Sequence, residues 1–197
     1  MTQDTGKTEI RISTSKLQKD SSESTEVRIM QRGKYYLTPY TNKHLEEVIE
    51  VLSIENVEEL SFLGYEGPKD ALQDLPDIAE AYIVRKEDGP IIFVGGLLFE
   101  DDGQWPQMFA MFSETIRQNF HVLARGSKML VNFFDKTQSG MSMTILAKHG
   151  DMLQWASWLG FEVVGETIFN GNRYIDFVRC NPNKKNVYDG TLRPVMH

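Results

Sequence analysis

The 197 residues include four histidines and one cysteine, so few catalytic chemistries are open to the chain. His44, His121, His149 and His197 are widely separated. No two have the i, i+4 spacing that lets a pair of imidazoles on one helix face hold a metal ion. Cys180 has Arg179 as its one adjacent cation. A reactive thiol needs a stronger electropositive setting, so a cysteine nucleophile is not expected. Neither a G-x-S-x-G elbow nor a P-loop occurs. The densest carboxylate group is Glu46, Glu47, Glu50, Glu55, Glu58 and Glu59, which reads as the solvated face of two helices. Trp155 and Trp158, three apart, read as helix-packing residues, and Met108, Met111, Met129, Met141, Met143 and Met152 as adaptable packing.

Composition narrows the class further. The chain is 41% hydrophobic and 25% charged with a net charge of −7. The length suits one domain with a core of its own. A lone cysteine rules out a disulfide framework and fits a reducing compartment. No apolar run approaches the roughly 20 residues of a membrane span. The acidic balance argues against direct nucleic-acid binding, which needs a basic face.

The elements that must position any site follow from periodicity. Residues 1–27 are dense in Ser and Thr, with Ile10, Ile12 and Leu17 as sparse apolar points. This is the composition of an extended polar arm that orders only against a partner. Residues 181–197 carry Pro182, Asp189-Gly190 and Pro194, which forbid a regular helix and predict an extended tail. Between them, residues 28–180 form the predicted domain. Arg32–Tyr40 reads as one strand. Thr41 caps a helix through Leu52, on which Leu45, Val48, Ile49 and Leu52 share a face. A short helix is predicted over Asn56–Gly64 and another over Pro68–Leu75. Ala81–Arg85 and Ile91–Phe99 are strands joined by the Lys86–Gly89 turn, with a bulge or close backbone approach at Gly95-Gly96. Asp101-Asp102-Gly103 turns, and a strand then starts after Pro106 and runs to Phe112. Ile116, Phe120, Leu123, Ser127, Leu130 and Phe134 mark the longest helix. Met141–Lys148 is a strand. Asp151 caps a helix that Gly160 ends, and a hairpin turns at Asn170-Gly171-Asn172. The order β, α, α, β, β, β, α, β, α, β, β predicts an α/β fold, a mixed central sheet with helices on both faces.

This order resembles the GNAT (Gcn5-related N-acetyltransferase) superfamily over about 150 residues. The likeness is sharpest at His149–Phe161 (HGDMLQWASWLGF), similar to the family's N-x-x-A-x-x-L-Y-x-x-x-G-F helix. It extends to YLTPYTNKHLEEVIEVL and to the hairpin IVRKEDGPIIFVGG. The resemblance implies acetyl-CoA as the cofactor of an N-acetyltransferase acting on a small amine or protein amine. It places cofactor contacts at Phe112, Ser113, Arg125, Gly126 and His149, and a candidate base at Glu114. His149 is read either as a ligand contact or as a surface residue at the helix entry. The chain departs from the family where the chemistry lies. Residues 113–119 (SETIRQN) hold no glycine for a phosphate-binding loop, and Ala156 stands where the family commonly carries a proton-donating Tyr. In these departures the chain is similar to the acetyltransferase-like internal virion proteins of T7-like tailed bacteriophages. That resemblance implies a catalytically degenerate structural protein with no cofactor, located in the virion and, during assembly, in the host cytoplasm. Its arm and tail would bind other virion proteins or further copies of the chain.

Overall fold

The computed structural model describes residues 27–99, 105–116 and 120–184. The expectations for residues 1–26 and 185–197 and for the Asp101-Asp102-Gly103 turn lie outside them. The strands are β1 (Met30–Arg32), β2 (Tyr35–Pro39), β3 (Ala79–Lys86), β4 (Ile91–Leu98), β5 (Gln107–Phe112), β6 (Gly140–Leu146), β7 (Glu162–Phe169) and β8 (Asn172–Cys180). They form one eight-stranded sheet in the order β1-β2-β3-β4-β5-β6-β8-β7. Every neighbouring pair is antiparallel except β5–β6. The helices are α1 (Leu45–Val51), α2 (Ile54–Phe62), α3 (Pro68–Gln73), α4 (Leu75–Ile78), α5 (Phe120–Phe134) and α6 (Gly150–Trp158). The mixed α/β architecture expected from the pattern is the one observed.

Strand alternation assigns the two faces. Ile83, Ile91 and Val94 pack with Val48, Leu72 and Leu75 of α1, α3 and α4. Val84, Phe93 and Leu97 pack with Leu130 and Phe134 of α5 and with Trp155, Ala156 and Leu159 at α6. Ile83 and Val84, and Phe93 and Val94, fall on opposite faces because successive strand residues point to opposite sides, and the register shift at Val84/Arg85 puts Ile91 on the face opposite Phe93. Gly126 lets α5 sit close to the sheet: a Cβ there would lie 2.8 Å from the Phe93 ring. Ser127 is fully buried, donates to the Leu123 carbonyl and accepts from the Trp155 indole, which joins α5 to α6. At the other end of these helices Arg179 of β8 holds Asp135 through two hydrogen bonds and the Leu159 carbonyl through a third. Asn181 is buried and donates to the carbonyls of Asp135 and Gln138, so packed structure continues past Cys180.

Several local expectations are corrected. Arg32–Tyr40 is not one strand: Gly33, at φ +62°, turns the chain between β1 and β2. The segment after Thr41 opens as a 3-10 turn, Asn42–His44, before α1. α2 begins at Ile54 because the Ser53 side chain caps it by accepting from the Asn56 amide. Pro68–Leu75 breaks at Asp74 into α3 and α4, the second with Pro76 in its first turn. A 3-10 turn, Glu114–Ile116, precedes α5, so the longest helix is shorter than its apolar stripe. The residue capping α6 is His149, not Asp151. Pairing runs unbroken through Gly95-Gly96 and the bulge lies at Val84/Arg85. The glycines serve close approach instead, since a Cβ on Gly96 would lie 2.3 Å from the Glu80 carbonyl oxygen. Trp155 is buried as expected, but Trp158 is about half exposed.

Candidate active site

The one parallel pair in the sheet is also its weak point. β5 and β6 register at Gln107 and Ser142, near the start of each strand, and at no later pair among the described residues. Beyond that point they diverge. Such carboxyl-end openings between parallel strands are where α/β sheets bind ligands.

Divergence strips β5 of a partner along one edge, and the start of α2 takes over the last part. The Phe112 amide donates to the Asn56 side-chain oxygen at 2.7 Å, and its carbonyl accepts from the Ser53 amide at 2.9 Å. Leu52 bridges Ser113. The phase of the ladder is set by the Ser113 amide, which donates across to Ile92 on β4. In an antiparallel ladder, residues alternate between pointing their polar groups at the neighbour and away from it. Ala110, paired with Gly95 two positions before Phe112, therefore turns its N–H and C=O away from β4 and into the opening.

A cavity of about 550 Å³ fills this opening. α2 contributes Glu55, Asn56, Glu59 and Leu60, α6 contributes Asp151, Met152 and Trp155, and His149 and Tyr174 of β8 close it. Met108, Met111, Met143 and Met152 make much of the wall apolar. The cavity is acidic. Glu55, Glu59 and Asp151 line it with one imidazole, and its described lining holds no Lys or Arg. Lys148 stands close by, but it pairs with Glu58 at 3.2 Å and lies over the Phe62 ring.

Three of these groups are linked. Glu59 accepts from the Leu146 backbone amide at the end of β6, and its carboxylate comes within 4.0 Å of His149 Nδ1. Burial raises the Glu59 carboxyl to about 7, against the opposing pull of Lys148 and the Leu146 amide. Tyr174 sits opposite Leu146 on β8 and is 1% exposed. Its hydroxyl has no hydrogen-bond partner among the described residues. Burial, and the Glu59 charge after it, raise the phenol above its ordinary value.

Among the residues singled out from sequence, Phe112 and His149 meet at this cavity. His149 is buried there, which removes the surface reading. Ser113 is buried and held by β4. Glu114 and Arg125 are exposed and do not line the cavity, and Gly126 faces Phe93 in the core. Ala156 is fully buried. The reading of Glu55 and Glu59 as purely solvated is corrected: both face the cavity. Asn56 and Tyr174 went unnoticed in the sequence. The signal available was Asn56, a polar residue on the same helical stripe as Leu60 and Leu63.

The sequence by itself matches no protein-family model and no curated protein. Solved structures do match. A GNAT-family acetyltransferase from Bacillus anthracis superposes with a TM-score of 0.63 at 11% identity, covering 77% of this chain and 97% of its own. Ribosomal-protein-S5-alanine acetyltransferase from Vibrio fischeri gives 0.59 at 12%, covering 80% and 98%. The chain has the GNAT fold. Spermidine N-acetyltransferase from Vibrio cholerae, solved with CoA and spermine, shares that GNAT fold with a TM-score of 0.60 at 9% identity, covering 75% of this chain and 96% of its own. At these identities the likeness is one of architecture, so the chemistry has to be argued from the cavity.

Proposed function

We propose that this chain is an acyl-CoA-dependent N-acyltransferase whose donor arm lies along the open edge of β5. The observation that carries the reading is the Ala110 N–H and C=O turned into a cavity between two diverging parallel strands. An extended ligand with its own amides can pair with such an edge as a missing strand would. The neutral amide arm of CoA has that character, and the residues at the opening fit it: Ala110 would pair with it, and Met108 and Met143 would flank it. The anionic end of CoA would not belong inside a cavity lined by carboxylates. When bound, acetyl-CoA supplies an activated thioester. The chain's own residues then exclude water through Met108, Met111, Met143 and Trp155, and present Glu59 as a carboxyl poised to hold a proton near neutral pH. This assigns the base role to Glu59 in place of the exposed Glu114.

The test is release of free thiol from acetyl-CoA by the full chain. Release that requires an added amine, and is abolished in Glu59→Gln, supports the reading. Release that is absent or independent of amine overturns it.

A second reading is favoured by Ala156, which puts a methyl group in the core where the resemblance expects a proton donor. Here the chain is a degenerate GNAT-like structural protein of a tailed-phage particle, located in the virion and anchored to other virion proteins by residues 1–27 and 181–197. Deleting residues 1–27 abolishes incorporation into the particle if that reading holds. Unchanged incorporation rejects the arm as the anchor.

A further inference from the structure

We propose that Asn170-Gly171, the tip of the β7–β8 hairpin, is a site of spontaneous deamidation whose conversion to aspartate or isoaspartate releases the C-terminal end of α2. The inference concerns neither cofactor nor acceptor, and it stands or falls apart from the acyltransferase reading.

The hairpin tip and α2 share one bond. The Asn170 side-chain amide donates to the Phe62 carbonyl at 3.0 Å. Phe62 is the last residue of α2, where carbonyls have no partner inside the helix. The preceding carbonyls are satisfied locally: Glu59, Leu60 and Ser61 accept from the Leu63, Tyr65 and Gly64 amides. Phe62 instead receives its donor from the far end of the sheet. The start of α2 is fastened separately, to Phe112 through Ser53 and Asn56. Between these two anchors the helix carries Glu55, Asn56, Glu59 and Leu60 into the cavity wall.

Gly171 sets the chemistry at the tip. Asn170 is the one asparagine in the sequence followed by glycine. A succinimide forms when the backbone nitrogen of the next residue attacks the asparagine Cγ. A side chain on that residue obstructs the approach, and glycine has none. Asn170 is exposed, an added Cβ at Gly171 meets nothing within 4 Å, and the Gly171 amide has no hydrogen-bond partner among the described residues. In the first step a bond forms between the Gly171 nitrogen and Asn170 Cγ. The Cγ–Nδ2 bond breaks, and Nδ2 leaves as ammonia with the proton given up by the Gly171 amide. Water then opens the ring. Addition at Cγ gives aspartate, and addition at the backbone carbonyl gives isoaspartate.

Either product removes the Nδ2 donor and leaves a carboxylate near the Phe62 carbonyl. A negative charge is unfavourable at the C-terminal end of a helix, where the dipole is negative. Lys148 lies over the Phe62 ring, but it is paired with Glu58 at 3.2 Å. Isoaspartate also lengthens the backbone of a two-residue turn whose left-handed φ values of 48° and 78° set the register of β7 on β8.

The experiment ages the full chain at mildly alkaline pH and follows each asparagine by peptide mass spectrometry. Asn170 should convert about tenfold or more faster than any other asparagine, since each of those precedes a residue with a side chain. Hydrogen exchange is then compared among the native chain, the deamidated fraction, Asn170→Asp and Asn170→Ala. Amides of residues 60–63 should exchange about fivefold faster in the deamidated fraction and in Asn170→Asp, the change expected from one lost hydrogen bond. Asn170→Ala, which removes the donor without adding charge, should give a smaller increase. Conversion at Asn170 no faster than at the other asparagines overturns the inference. So does unchanged exchange in Asn170→Asp, or slower exchange there through a new pair with Lys148.

Discussion

Glu59 is where burial most clearly overrides the ordinary chemistry of a side chain. Its folded-state value of about 7 lies above the ordinary 4.5, so between these values the folded chain holds a proton that the unfolded chain has released. The consequence for stability has a fixed sign. Stability is greatest at and below the lower value and falls as pH rises through the upper one. The loss across that window is on the order of 1–3 kcal/mol. Melting temperatures from pH 5 to pH 8 should therefore fall more steeply for the native chain than for Glu59→Gln, and parallel curves would contradict the buried placement. Asn56 offers a second test. Asn56→Ala orphans the buried Phe112 amide and should cost about 1–3 kcal/mol in urea unfolding. Neither residue is conspicuous in the sequence. A glutamate one helical turn after another looks solvated, and what reverses the reading is the packing of α2 over the gap between β5 and β6, a contact with β6 from about 80 residues further along the chain.

Elements whose signals are local were legible. Asn170-Gly171 takes up left-handed backbone at φ 48° and 78°, as a two-residue hairpin turn demands, and Gly160 ends α6 at φ 88°. The Lys86–Gly89 turn and the strand beginning after Pro106 follow the same logic. What periodicity could not carry was pairing. The divergence of β5 from β6 depends on Ser53 and Asn56 substituting for a strand, and no window of local sequence contains both partners. The fold's tight points give element-scale predictions. Gly96→Ala places a methyl 2.3 Å from a β3 carbonyl oxygen and leaves the backbone no room. It should destabilise by about 1–3 kcal/mol or more, against a smaller change for Gly150→Ala, where no atom lies within 4 Å. Asp135 and Arg179 are about nine-tenths buried and tie the end of α5 to β8 and Leu159. Asp135→Ala leaves the guanidinium uncompensated and should cost about 3–5 kcal/mol, measured by chemical denaturation.

For the molecule as a whole, the sheet, its two helical layers and the opening between β5 and β6 form one device. α1, α3 and α4 cover one face and α5–α6 the other, α2 lies over the gap, and the cavity passes between the diverging strands. The acidic, methionine-rich lining and the open edge of β5 are properties of this assembled geometry. The most direct measurement is titration calorimetry of acetyl-CoA into the full chain and into Ala110→Pro. That substitution deletes the one amide hydrogen of Ala110 facing the cavity and leaves the bonds between β5 and β4 intact. Submillimolar binding by the native chain, weakened about tenfold in Ala110→Pro with the fold retained, is the result predicted. Absence of binding, or equal affinity in the two proteins, would contradict the assignment of the β5 edge as the donor site.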